Sequence, residues 1–429
     1  MGRFTRRTFG VAAAGALSGA LLTGAGAGTA AAREGGAGGG GHGRGHGRGR
    51  GHGRSPRMRG MWVATVANID WPSTAGLTAQ EQQRQLLAHL DTAVERRLNT
   101  VVLQVRPTAD ALWPSPFEPW SQYLTGTQGR DPGWDPLGFA VREAHRRDLE
   151  LHAWFNPYRV ANHADPQRLV ADHPARRHPD WVVSYGGKLY YNPGLPQVRR
   201  FVQDAMFHAV ERYDIDAVHF DDYFYPYPVS GRTFDDDAAF ERYGGDFSDR
   251  GDWRRHNVDL LVSEVSCQLK QVKPRVRFGV SPFAVWRNKG TDPAGSDTRA
   301  GVQTYDDLYA DTRRWVRERW VDHIVPQVYW NIGFEAADYA RLVPWWAGVV
   351  RGTGVDLYIG EALYKVADPA QGPAWHDPAE LSRHLTLCRE HPEVSGNVYF
   401  SARHVAADPI GAMSRVVRDH YGTLVRPPR

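Results

Sequence analysis

The chain is poor in the features that mark several common protein classes. It has only two cysteines in 429 residues, Cys267 and Cys388, and both fall in predicted helices, so a disulfide between them and two free thiols both stay open. Beyond residue 32 no stretch approaches the ~18 apolar residues of a membrane span. There is no phosphate-binding P-loop and no glycine-rich turn after the first predicted strand, where Ala67-Asn68-Ile69-Asp70-Trp71-Pro72 stands instead, so nucleotide chemistry is excluded. WVATV carries no His-x-His pair, and His152, His219 and His323 each stand alone. Metal-dependent hydrolases and deacetylases want converging His/Asp ligands from early strands, so neither a metal nor another cofactor is expected. Charged residues make up only 23% against 41% hydrophobic, with 15 Trp and 18 Tyr, which sets the bulk of the chain apart from disordered sequences.

The net charge of +4 is unevenly spread. Residues 1–59 hold ten arginines against the single acid Glu34, or +9, which leaves −5 for the remainder. A mildly acidic body argues against a groove that tracks nucleic-acid phosphates. Arg6-Arg7-Thr8-Phe9 precedes a run of Ala, Gly, Leu and Val to Ala32 and resembles a twin-arginine export signal, with Ala30-Ala31-Ala32 as the cleavage site. Residues 1–32 are therefore expected to be removed, the mature protein to be secreted or extracytoplasmic, and no transmembrane span to remain. From Arg33 to Pro56 half the residues are glycine. So little apolar surface cannot offset the entropy of ordering, and residues 33–58 read as a flexible linker. Its arginines and His42, His46 and His52 offer electrostatic association with an anionic wall polymer.

From Arg59 to Arg429 short apolar strands alternate with amphipathic helices. Strands are expected from Gly60, Thr100, Leu149, Asp216, Arg277, Asp322, Asp356 and Gly396. Helices are expected over 78–98, 136–147, 196–213, 253–272, 305–319, 336–350, 378–389 and 412–420. The first shows Leu86, Leu87, Leu90, Val94 and Leu98 on one face. Strand–helix units repeated in this number fit a (β/α)8 TIM barrel with enlarged βα loops, which puts the chemistry at the C-terminal ends of the strands.

Those ends are rich in aromatic and polar side chains. Sugar rings stack their apolar faces on aromatics and bond their hydroxyls to Asn, Gln, Arg and Asp, while glycoside hydrolysis needs two carboxyl groups in different protonation states. The sharpest motif is His219-Phe220-Asp221-Asp222-Tyr223. Period-two alternation turns Val218 and Phe220 to the helices and His219, Asp221 and Tyr223 to the lumen or mouth. Adjacent carboxylates there repel, so one holds a proton near neutral pH. Asp221, Asp222 and Glu361 are the candidate catalytic residues. Arg106, Asp110, Asn156, Tyr158, Arg159, His219, Tyr223, Gln327, Tyr329 and Trp330 are the candidate substrate-binding residues. Arg106 and Arg159 fit a sugar carboxylate, or equally an acid of the barrel itself. A non-catalytic glycan-binding barrel would keep the aromatic mouth without needing the acid pair.

RGMWVATVANIDWP from Arg59, LQVRPTADALWPSPFEPWSQYLTGTQGRDPGWDPL from Leu103, HAWFNPYRV from His152, VHFDDYFYP from Val218, FGVSPFAVWRN from Phe278 and DHIVPQVYW from Asp322 together resemble the glycoside-hydrolase-like family 10. The resemblance implies a TIM-barrel glycosidase of the exported bacterial kind. By likeness to a member that acts on peptidoglycan strands stripped of stem peptides, it also implies a cell-wall glycan substrate. Chitin-like polymers of N-acetylhexosamine are the alternative. Ala109 stands where the family often has glycine, a departure that bears on a loop. Two mechanisms fit: Asp221 or Asp222 as acid with Glu361 as nucleophile or base, or the Asp pair assisting a substrate 2-acetamido group.

Overall fold

The structure is a computed structural model and describes residues 57–422. The expected export signal and nearly all of the linker lie outside the described residues. Met58, assigned to the linker from the sequence, already belongs to the first strand.

Among the described residues eleven strands are formed: β1 Met58–Val63, β2 Thr100–Arg106, β3 Glu150–Phe155, β4 Arg159–Ala161, β5 Val182–Tyr185, β6 Lys188–Tyr191, β7 Ala217–Phe220, β8 Arg277–Val280, β9 His323–Ile324, β10 Asp356–Glu361 and β11 Val394–Tyr399. Eight close into a parallel barrel in the order β1-β11-β10-β9-β8-β7-β3-β2, one for each expected strand. The (β/α)8 fold expected from the sequence is the fold observed. β4, β6 and β5 form a separate antiparallel sheet in the loops after β3, which the sequence reading did not foresee.

The strands bury both faces, and side chains divide by parity. Met58, Trp62, Ala64, Val102, Trp154, Val325, Tyr358 and Val398 fill the lumen, whereas Val101, Leu103, Val218, Phe220, Leu357 and Ile359 pack under the helices. Gly279 is required in the lumen, since a Cβ there would lie 1.9 Å from His323 Nε2.

Helices stand close to their expected places. The first, Ala79–Glu95, starts where Thr78 accepts a hydrogen bond from the Glu81 N–H. It buries Gln82, Leu86, Leu90 and Ala93; Val94, expected on that face, is 42% exposed. The helix expected over 305–319 is broken into Thr304–Asp307 and Thr312–Arg317, with Tyr309 at positive φ between them and Asp311 capping the second piece. The two cysteines are unpaired, Cys267 exposed and Cys388 buried. Among the described residues no helix is long and apolar enough to cross a membrane.

Candidate active site

β7 ends at Phe220, and the next two residues are the acid pair. Phe220 packs outward in the core, so alternation sends His219 and Asp221 inward. Asp221 is 5% exposed and Asp222 6%. Asp221 Oδ2 accepts from Asn156 Nδ2 at 2.5 Å and from Trp154 Nε1 at 3.2 Å, and its Oδ1 accepts from the Tyr223 N–H at 3.1 Å. Asn156 is itself oriented, because its Oδ1 accepts from Gln104 Nε2 at 2.6 Å, and Gln104 Oε1 accepts from the Thr65 and Val66 N–H groups. Two backbone donors thus fix two amides in sequence, leaving Asn156 only its N–H to offer the carboxylate.

Asp222 faces a different set of partners. The Tyr227 hydroxyl donates to it, and Gln327, which also donates to the Ser281 carbonyl at 2.8 Å, bonds it too. Burial first, and the neighbouring Asp221 charge second, push Asp222 up to about 7. Burial also raises Asp221, but the Arg159 charge, the Tyr223 N–H, Asn156 and Trp154 all favour its anion. Both carboxyls are raised and each repels the other's charge, so near neutrality the dipeptide holds one proton between two groups, the unlike pair of states that glycoside hydrolysis needs.

Aromatic rings extend from both acids. Tyr227 meets Phe283 at 6.2 Å, and Phe283 meets Trp330 edge-on at 5.5 Å. Tyr329 packs on Tyr364 and Phe400 at 5.8 and 6.4 Å, and the charges of both aspartates bear on its hydroxyl. Tyr223 lies 5.6 Å from Tyr227 and beneath the Arg159 guanidinium at 5.0 Å. Of the expected site residues, Asp221, Asp222, Asn156, Arg159, Tyr223, Gln327, Tyr329 and Trp330 are brought together here.

The others are turned elsewhere. Glu361 shares the parity of Leu357 and Ile359 and points out of the barrel. It accepts from the Tyr339 hydroxyl at 2.7 Å and Asn397 Nδ2 at 2.8 Å, and bonds His384 Nδ1 at 2.9 Å. It is fully buried against the helices Tyr339–Val350 and Glu380–Arg389, so it is not the nucleophile or base across the mouth. Arg106 follows a register shift that sets it opposite Phe155. Its fork grips Glu118 at 2.5 and 2.6 Å, and its remaining nitrogen donates to the Asn156 and Pro157 carbonyls. A bulge at the strand end has re-aimed it, and it shapes the β2 loop rather than binding substrate. Asp110 accepts from the Thr108 N–H and hydroxyl, both at 3.1 Å, and burial pushes it up to about 7; it braces the same loop. Tyr158 is buried in the outer core. His219 sits one layer below Asp221, accepts from Trp62 Nε1 at 3.3 Å and bonds Ser281 Oγ at 2.9 Å. Burial, then His152, drive its pKa well down, so it is a neutral support inside the barrel.

Gln104, a polar strand-end residue, and Trp154 and Tyr227 belong to the site and are not among the candidates chosen from the sequence. Parity in LQVR and HAWFN places Gln104 and Trp154 in the lumen and was a usable signal; Tyr227 lies past the strand, where parity gives none. His152, His219 and His323, scattered in sequence, meet in the lumen with ring centroids 5.5 and 6.3 Å apart. Among the described residues no group of three or more His, Cys, Asp or Glu is arranged to hold a metal ion.

A TIM barrel whose mouth combines an acid pair in unlike protonation states with a broad aromatic lining is the architecture of a glycoside hydrolase. Residues 57–377 match the family described as Glycosyl hydrolase-like 10, and the chain belongs to that family. It is 50% identical over 366 residues to glycosyl hydrolase YngK of Bacillus subtilis strain 168, covering 85% of this chain and 72% of that protein. To glycosyl hydrolase DigH of Escherichia coli K12 it is 42% identical over 366 residues, covering 81% and 83%. In fold it is similar to the glycoside hydrolase domain of PgaB (BpsB) from Bordetella bronchiseptica, with TM-score 0.54 and 13% identity over 85% of this chain and 98% of that one. The protein is an enzyme of the glycoside hydrolase class.

Proposed function

We propose that the protein is exported by its twin-arginine signal and hydrolyses a bacterial cell-wall glycan, peptidoglycan strands lacking stem peptides, with the substrate's own 2-acetamido group as nucleophile. The observation that carries the mechanism is the joint placement of Asp221 and Asp222, while Glu361 is sealed away from the mouth. With no acid from β10 across the mouth, a nucleophile from the substrate completes the chemistry. N-acetylated sugars supply one.

Asp222 protonates the leaving glycosidic oxygen as the acetamido carbonyl oxygen attacks C1 and the C1–O bond breaks. Asp221, held by Asn156 and Trp154, accepts the acetamido N–H and stabilises the positive charge that develops on the resulting ring. Water then attacks C1, passes a proton to the Asp222 carboxylate and reopens the acetamido group. Tyr227 and Gln327 steady Asp222 in both states. Two displacements at C1 give net retention.

Mass spectrometry of products from purified glycan strands, with and without stem peptides and beside chitin oligosaccharides, tests substrate and linkage together. Cleavage of denuded strands in preference to the other two supports the reading; cleavage of chitin oligosaccharides alone assigns the enzyme to a different polymer. Export is tested by fractionating cells that express the Arg6→Lys/Arg7→Lys variant, whose precursor should stay in the cytoplasm.

A further inference from the structure

β4, β5 and β6 form a small wall beside the end of β7. Tyr185 in β5 accepts from the Val229 N–H at 2.8 Å and packs on Phe234 at 5.9 Å, which ties the sheet to the loop that follows Asp222. Pairing sets Arg159 opposite Tyr190 and Tyr185 opposite Lys188. In an antiparallel sheet opposed residues share a face, as do residues two apart, so Arg159, Lys188 and Tyr190 stand together. That face meets the acid pair, because Arg159 lies over the Tyr223 ring at 5.0 Å and its charge acts on Asp221.

Two cations on one face repel, and burial deepens the penalty unless an anion answers them. Arg159 is 6% exposed and is anchored through Nε, which donates to the Pro107 carbonyl at 3.0 Å, while its two terminal nitrogens have no hydrogen-bond partner among the described residues. Lys188, half-buried, has neither an ion pair nor a side-chain hydrogen bond among the described residues. Burial and then the Arg159 charge lower its pKa. Asp221 answers Arg159 in part, but it is already bonded by three donors, and no acid among the described residues pairs with Lys188.

We propose that Arg159 and Lys188 form a carboxylate subsite on the wall of the cleft, which selects glycans whose sugars carry an acidic substituent such as the lactyl carboxylate of a muramic unit. A planar fork and a mobile ammonium are complementary donors for two carboxylate oxygens. Tyr227, Phe283 and Trp330 provide aromatic surface along the same mouth, suited to the uncharged face of a ring. This inference rests on the glycan-hydrolase reading and specifies which sugars that site distinguishes.

The test uses short denuded glycan strands in two forms, one with free muramic carboxyls and one with those carboxyls converted to amides. Affinity for both is measured calorimetrically in an Asp222→Asn background, and kcat/KM in the otherwise unaltered enzyme. The free acid should be favoured about tenfold, the scale of one charge-assisted hydrogen bond. Lys188→Gln should bring that ratio to below about twofold, and Lys188→Arg should restore most of it. Equal preference in the Lys188→Gln and parent proteins overturns the subsite while leaving the hydrolase reading intact. Strands that are neither bound nor cut in either form overturn the subsite and the peptidoglycan reading together.

Discussion

The ends of β7 and β10 each present buried carboxylates, and they do opposite things. Asp221 faces inward among Trp154, Asn156 and Arg159, while Asp222 is bonded by Tyr227 and Gln327 and is pushed up to about 7. Glu361 is at least as buried, yet it faces outward into Tyr339, His384 and Asn397. Residue type, strand-end position and burial are alike in the two places. What differs is parity along the strand, which decides whether a carboxylate meets substrate or locks helices to the barrel. Buried acids are thus poor markers of catalysis until their direction is known.

The strongest way to break this contrast is to neutralise each acid in turn. Asp222→Asn should lower kcat about a thousandfold through loss of the general acid, with the far-ultraviolet dichroism unchanged. Asp221→Asn should lower kcat about a hundredfold and also move the pH profile. In the parent enzyme kcat/KM should fall as pH rises through about 7, where Asp222 loses its proton. Removing the Asp221 charge lowers the Asp222 pKa, so the alkaline limb should shift to lower pH. A limb that stays in place or moves upward would separate the two groups electrostatically.

Glu361→Gln should leave kcat/KM of the folded enzyme within about threefold while costing about 3 kcal/mol in urea unfolding, as loss of one partner from a buried ionic cluster does. Burial lowers the His384 pKa, but Glu361 and then Glu380 outweigh it and leave it raised above 6.5. Its contribution to stability is therefore complete below the unfolded value and is lost as pH rises through the folded one. The variant should show a weaker fall in stability above pH 6.5 than the parent. A thousandfold loss of turnover in this variant would return Glu361 to the chemistry.

The smallest effect is expected at Ala109, buried at φ 49° in the β2 loop. A side chain in the left-handed region costs about 1 kcal/mol relative to glycine. Ala109→Gly should therefore raise the urea midpoint by a corresponding small amount without altering kcat. That would place the effect of Ala109 in loop strain and leave the acid pair untouched.

Much of the site was open to sequence reasoning because alternation is a local rule. HFDD placed Asp221 inward from Val218 and Phe220 alone. The same rule applied to DLYIGE gives Glu361 the parity of Leu357 and Ile359, so its outward direction was already legible. Arg106 was different, since strict alternation in LQVR points it inward and only the register shift after Gln104 diverts it to Glu118. The accessory sheet was also invisible. Its strands are three or four residues long, too short for a periodic signal, and are held by pairing with one another.

By itself the sequence determined the eight strand–helix units, the family and the acid pair, because hydrophobic period and ordered motifs are properties of neighbouring residues. Tertiary structure alone decided which polar side chains share the mouth. It set Arg159 and Lys188 on one face, joined Gln104 to Asn156 and Asp221, and withdrew Arg106 and Tyr158 into packing. Those outcomes depend on strand register, on a bulge and on contacts between segments far apart in the chain, which no local pattern encodes.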